Sequence, residues 1–313
     1  MTGFVGTNLA ARLVAMGAKV RGVSRRRPLG PAHAGVEHLR ADLTDAEDCR
    51  RAIEGMDFVF MCAASTSGAA VITSTPLAHV TPNVVMNAQM LDAAHAAGVE
   101  KLLFVSSCAA YPATDHPAAE DEMFAGDPPD VYFAAAWMKR YAELLCATYA
   151  TRLRQPMPTV VVRPSNAYGP HDKFEFETSH VTAALIRRVV ERHRPIEVWG
   201  TGDDVRDLIY IDDLVDGMIA AFEHDAPHLV VNLASGRARS VREILAALLD
   251  VDDYRDADVR YDASKPRTVP ARLVDTSYAK RELGFEARTE LPEGLRRTVR
   301  WYRENAAKTE AHR

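Results

Sequence analysis

No stretch of this chain approaches the roughly 20 continuous apolar residues that a membrane-crossing helix needs, so no membrane partner is expected. Nor is there a basic excess: 38 Lys and Arg stand against 43 Asp and Glu, for a net charge of −5. That balance argues against nucleic acid and anionic lipid as partners, and it leaves the short run Arg25-Arg26-Arg27 to be explained locally. Cysteine is scarce. The four present, Cys49, Cys62, Cys108 and Cys146, lack the paired spacing of a metal site, which points to reduced buried thiols, no metal and a cytoplasmic location. There is no internal repeat and no low-complexity linker. No signal peptide is expected either, because the chain starts directly in a glycine-bearing motif. What is present is 47% hydrophobic residues across 313 positions, enough to bury a substantial core in one large or two closely joined units.

Apolar runs at 18–24, 57–64, 101–107 and 158–169 read as strands, and the segments 44–55, 83–98 and 137–152 between them have helical spacing. Such alternation predicts an α/β fold, a Rossmann-like doubly wound parallel sheet covered on both faces. Beyond residue 170 the pattern loosens. A helix is expected over 179–193, a strand at "IEVWG", a helix over 212–224 and a strand at "LVVNLAS". Further helices fall near 240–250, 277–284 and 291–306. The expected organisation is a dinucleotide-binding unit over 1–169 and a smaller C-terminal substrate lobe, mainly 170–313, with 207–234 returning to the first unit. Ligands of open α/β sheets bind at the carboxyl edge of the strands.

The opening "MTGFVGTNLAARLVAMG" places Gly3, Phe4 and Gly6 ahead of a helix, at the spacing of the second and third glycines of a phosphate loop. Such glycines let the backbone approach a pyrophosphate, and the helix N-terminus supplies N–H donors. The first glycine and the strand before it are expected upstream of Met1, which leaves the sheet without its central strand. At the end of the next strand, Ser24, Arg25 and Arg26 stand where an acidic residue would bind ribose hydroxyls. These donors suit a 2′-phosphate, so NADP(H) is favoured with NAD as the alternative; a solvated basic loop is the bland reading. Asp42 in "RADLTD" is placed to touch the adenine edge, and Ala63 completes the cofactor set.

"FVSSCAAYP" (104–112), "TGFVG" and "RPSNAYGP" together resemble the extended short-chain dehydrogenase/reductases that act on nucleotide sugars, and within them the GDP-L-fucose synthases. The similarity runs nearly end to end through "NAYGPHDKFEFETSHVTAALIRR" (166–188), "VWGTGDDVRDLIYIDDLVDGM" (198–218) and "DASKP" (262–266). The resemblance implies epimerisation or reduction of a 4-keto nucleotide sugar, GDP-linked by preference. It also implies a homodimer formed through the helices at 83–98 and 137–152.

Family chemistry uses a serine, a tyrosine and a lysine, the tyrosine four residues before the lysine. Residues i and i+4 share a helix face, so the ammonium can acidify the phenol. Ser107 and Lys139 match, but the tyrosine position is Ala135. Tyr132, seven before the lysine, is the weak substitute. The family's epimerising cysteine falls on Ala109; Cys108 lies one residue early and, in an extended segment, points to the opposite side. His180 matches the family histidine. Asn166, Arg187 and Arg206 match substrate-binding positions, with Lys265 and Arg272 as weaker candidates and surface ion pairs as the arginines' bland reading. Two outcomes stay open: an enzyme slowed by Ala135, whether natural or a Tyr-to-Ala variant, or a silent nucleotide-sugar-binding relative.

Overall fold

The computed structural model describes residues 1–25, 30–65, 75, 77–176, 178–265 and 269–310. Its first half alternates as the periodicity predicts: α1 (Phe4–Ala15), β1 (Val20–Ser24), β2 (Val36–Arg40), α2 (Ala46–Ile53), β3 (Phe58–Met61), α3 (Leu77–Ala96), β4 (Lys101–Val105), α4 (Phe133–Thr151) and β5 (Thr159–Pro164). Helix α3 begins before Pro82, not after it. Proline removes one donor from that turn, where the Asn83 side chain donates to the His79 carbonyl at 2.7 Å.

The second half holds β6 (Asn166–Tyr168), α5 (Val181–Val190), β7 (Ile196–Trp199), β8 (Val205–Tyr210), α6 (Ile211–Glu223) and β9 (His228–Leu233). It continues with β10 (Ala238–Ser240), α7 (Val241–Val251), β11 (Val259–Asp262), β12 (Ala271–Arg272), α8 (Ser277–Leu283) and α9 (Leu291–Glu310). Strands β3, β4, β5 and β9 form one parallel sheet in that order. Near-continuous apolar runs such as "KLLFV" and "TVVVRP" suit strands buried on both faces. Side chains alternate across them: Leu103, Val160 and Val162 enter the core cluster shared with α6 and α7, while Leu102, Phe104 and Val161 enter the one under α2 and α3. The sheet is therefore doubly wound.

Strands β1 and β2 pair only with each other, and no strand among the described residues joins β1 to β3. Met1 stands beside β1: its amino group donates to the Val23 carbonyl, and its side chain lies 2.6 Å from where a Cβ on Gly22 would sit. Burial holds that amine below its ordinary pKa, with Cys62 close enough to oppose the shift.

Strand β8 anchors a separate small sheet, parallel to β6 and β12 and antiparallel to β10, while β7 pairs with β11. These pieces sit after the carboxyl end of β5, where the chain leaves the main sheet. No helix among the described residues is long and apolar enough to cross a membrane.

Candidate active site

Lys139 is set by α4 so that Nζ donates to the carbonyl of Val105, the last residue of β4, at 2.7 Å. The ammonium also stands over the Phe104 ring, 4.7 Å from its centre. Burial pushes its pKa down to about 8, against the opposing pull of Glu143 one turn on. Glu143 is itself buried and bound: Arg163 Nη2 donates to it at 2.6 Å and the Ser106 hydroxyl also donates to it. Arg163 continues to the Tyr111 hydroxyl at 2.7 Å, which in turn donates to Asn232 Oδ1 at 2.8 Å. This buried chain of polar groups ties β4, α4, β5 and β9 together directly beneath the site. Sequence reasoning missed it, although a lone arginine inside "TVVVRP" is a signal, because a charge in a central strand needs a buried partner.

Ser107 begins a short 3₁₀ turn, Cys108–Ala110, and its Oγ accepts from the Ala109 N–H at 3.1 Å. No acceptor among the described residues takes the hydroxyl proton. The turn also corrects an expectation: residues 108–110 are not extended, so strand alternation does not decide where the Cys108 thiol points. The thiol faces the Arg272 guanidinium, and burial holds its pKa above the ordinary value.

Arg206 and Arg272 are direct register partners on the adjacent parallel strands β8 and β12. Arg206 is buried, donates to the Val205 carbonyl at 2.8 Å and pairs with Asp204 at 3.7 Å. Burial first, then the neighbouring Arg272 cation, depress its pKa. Arg272 lies over the Tyr132 ring at 4.5 Å, and its Nη2 is buried without a hydrogen-bond partner. Two neighbouring buried guanidinia, with Nη2 of Arg272 unpartnered, fit an anion.

His180 caps α5 without a side-chain cap bond. Its ring reaches solvent, yet it sits in a crowded recess: burial, then the Lys173 and Arg272 cations, hold its pKa down. Asn166 lies partly buried in β6, opposite Leu208. Arg187 is engaged elsewhere, pairing with Glu191 at 3.1 Å and donating to the Phe174 carbonyl at 3.2 Å. Lys265 pairs with Glu197 at 3.5 Å on the β7–β11 edge. No described contact ties either residue to the Arg206–Arg272 pair. Ala135 is partly buried on α4, between Tyr132 and Lys139.

Cys62 lies near both Lys139 and the Met1 amine; just beyond Met1, Gly3 caps α1 with no side-chain cap bond, and no acidic residue lies in the first turn. A Cβ on Gly3 would meet nothing within 4 Å, whereas one on Gly6 would press the Met1 carbonyl at 3.0 Å. The first-turn N–H groups are thus free for a pyrophosphate, and these residues fit a dinucleotide. Phe4 turns its side chain toward the core. Ser24 Oγ is bound to His38 Nε2 at 2.7 Å, a partner the sequence did not reveal. Arg25 lies 3.7 Å from Asp42, whose pKa is lowered chiefly by the Thr44 hydroxyl. Ala63 sits partly buried just past β3. Arg26 lies outside the described residues.

Comparison with known proteins extends the geometry. The model of the NAD dependent epimerase/dehydratase family matches residues 1–234. The GDP-L-fucose synthase of Escherichia coli (strain K12) is 32% identical over 270 residues, covering 81% of this chain and 82% of that protein. Among solved structures, a UDP-glucose 4-epimerase from Thermotoga maritima shares the fold with a TM-score of 0.87 at 24% identity, over 97% of each chain. MoeE5, solved with UDP-glucuronic acid and NAD, superposes with a TM-score of 0.84 at 26% identity, again over 97% of each chain. An α/β sheet with a glycine-bearing turn ahead of α1 and with Ser107 and Lys139 at the end of β4, matched by that family model over most of its length, makes this chain a member of the NAD dependent epimerase/dehydratase family, whose relatives here act on nucleotide sugars.

Proposed function

We propose that the protein is an NADP-dependent epimerase/reductase of a 4-keto nucleotide sugar, GDP-linked by preference, with reduction the better supported half. The observation that carries this reading is the convergence of Ser107 and Lys139 at the end of β4 with the buried Arg206–Arg272 pair. The arginines hold the diphosphate, Asn166 orients the sugar, Ser107 donates to the ketone oxygen and Lys139 holds the cofactor ribose. Bound NADPH supplies the hydride. The GDP preference follows the E. coli relative named above. Ser24 and Arg25 favour the 2′-phosphate, with Asp42 and NAD as the counterweight. Epimerisation is less supported because the Cys108 thiol, pushed up by burial, is a poor base, leaving His180 alone for protons beside the ketone. Ala135 favours a second reading, a silent nucleotide-sugar binder.

Titration calorimetry tests the binding half. GDP-mannose and NADPH should each bind, and UDP-glucose more weakly; binding of neither nucleotide sugar contradicts the reading. Lys139 adds a pH signature. Only its ammonium form bonds the ribose, and its pKa lies at about 8. The NADPH dissociation constant should be flat at lower pH and rise above pH 8 by up to about tenfold per unit. Lys139→Met should bind weakly at every pH; a persisting slope would assign the titration to another group.

A homodimer belongs to the same proposal. Phe133, Trp137, Tyr141 and Leu144 are all exposed on one face of α4, an apolar stripe that a second copy would cover. Light scattering should give twice the chain mass, and Leu144→Glu should halve it. A monomeric unmodified chain would remove the dimer from the reading.

A further inference from the structure

Residue 135 carries no proton donor, yet a phenol stands at the cap of the same helix. Tyr132 closes the 3₁₀ turn Asp130–Tyr132 and is the N-cap of α4, and Ala135, Ala136 and Lys139 share one side of the helix that follows. The Tyr132 ring packs against the cluster containing Cys108 and Ala136, which places it beside the turn that carries Ser107. The other nearby phenols are committed: Tyr111 is buried between Arg163 and Asn232, and Tyr141 is exposed on the outer face of α4.

We propose that Tyr132, paired with Arg272, donates the proton that residue 135 cannot; the proposal rests on the reductase reading above. When a bound ketone accepts a hydride at carbon, its oxygen gains the electron pair of the broken π bond. The Tyr132 O–H bond then breaks and the sugar O–H bond forms. The phenolate left behind lies under the Arg272 guanidinium, 4.5 Å from the ring centre, and a cation over the ring face stabilises the negative charge the ring delocalises. Water returns the proton after product leaves. Arg272 thereby has a use toward the reacting sugar as well as beside Arg206. Truncation of residue 135 to alanine keeps that side of the helix open for a phenol entering from the cap.

The test follows NADPH oxidation with GDP-4-keto-6-deoxymannose and, separately, GDP-mannose binding to the chain without cofactor. Tyr132→Phe should lower kcat by about 10²–10⁴-fold while KM and the GDP-mannose dissociation constant stay within about twofold. Adding Ala135→Tyr to Tyr132→Phe should restore turnover. Arg272→Met should lower kcat and also weaken GDP-mannose binding. Tyr132→Phe that keeps kcat within about threefold, or that loses GDP-mannose affinity in step with kcat, overturns the proposal. An unmodified chain that is silent while Ala135→Tyr turns over also overturns it and leaves the reductase reading standing. Silence in every variant removes the reductase reading and the proposal with it.

Discussion

Arg163→Met should lower the unfolding free energy by about 3–5 kcal/mol, because it leaves Glu143 as an uncompensated charge in the core. Both side chains are almost fully buried, at 3% and 4% exposure. Their pairing is also the junction through which Ser106, Tyr111 and Asn232 are satisfied. The chain invests an ion pair where hydrophobic residues would serve stability as well, so the double change Arg163→Met with Glu143→Leu should recover most of the loss. Denaturant unfolding of the two single variants and the double variant measures the coupling. Losses that simply add would mean that water already screens the pair. The network has a second consequence. Glu143 lies one turn beyond Lys139 and supports its charged form, so Arg163→Met should disturb cofactor affinity as well as stability.

Arg206→Met should lower affinity far more than stability. Arg206 and Arg272 face each other as like charges on paired strands, and burial and mutual repulsion both depress the Arg206 pKa. Removing one cation relieves that repulsion, which offsets the loss of the 3.7 Å pairing with Asp204. The same change deletes a charge-assisted contact to the diphosphate, worth about 1.5–3 kcal/mol, or roughly 10–150-fold in GDP-mannose affinity. Thermal unfolding and calorimetry on one preparation read both. A variant that loses stability and keeps affinity would make Arg206 a structural residue.

Much of this was legible in the sequence because the main sheet is built from unambiguous apolar runs. β4 and β5 are too continuous for an amphipathic helix and too short for a long one, and the helices between them carry 3.6-residue spacing. Three things were not legible. The two- and three-residue strands β12 and β10 are below the length at which periodicity exists, so the opposition of Arg206 and Arg272 could not be read from residues far apart in the chain. Cys108 was placed by strand alternation, but the chain leaves the sheet at Val105 and tightens into a 3₁₀ turn, where period two no longer holds. Helical spacing was read only from residue 83, whereas the helix runs back through Pro82 to Leu77 and packs on α2 and α4. In the site, Ser107, Lys139 and the alanine at 135 were singled out by the family resemblance. The guanidinium over Tyr132 was not, because it arrives from the small sheet.

The most direct measurement is NADPH oxidation by the unmodified chain with GDP-4-keto-6-deoxymannose, run beside GDP-mannose binding in the same buffer. The expected result is ketone-dependent oxidation that stops when Tyr132 is changed to phenylalanine. Binding of GDP-mannose and NADPH with no oxidation, by the unmodified chain or by Ala135→Tyr, would contradict the reductase reading and leave a nucleotide-sugar-binding protein on an enzyme's fold.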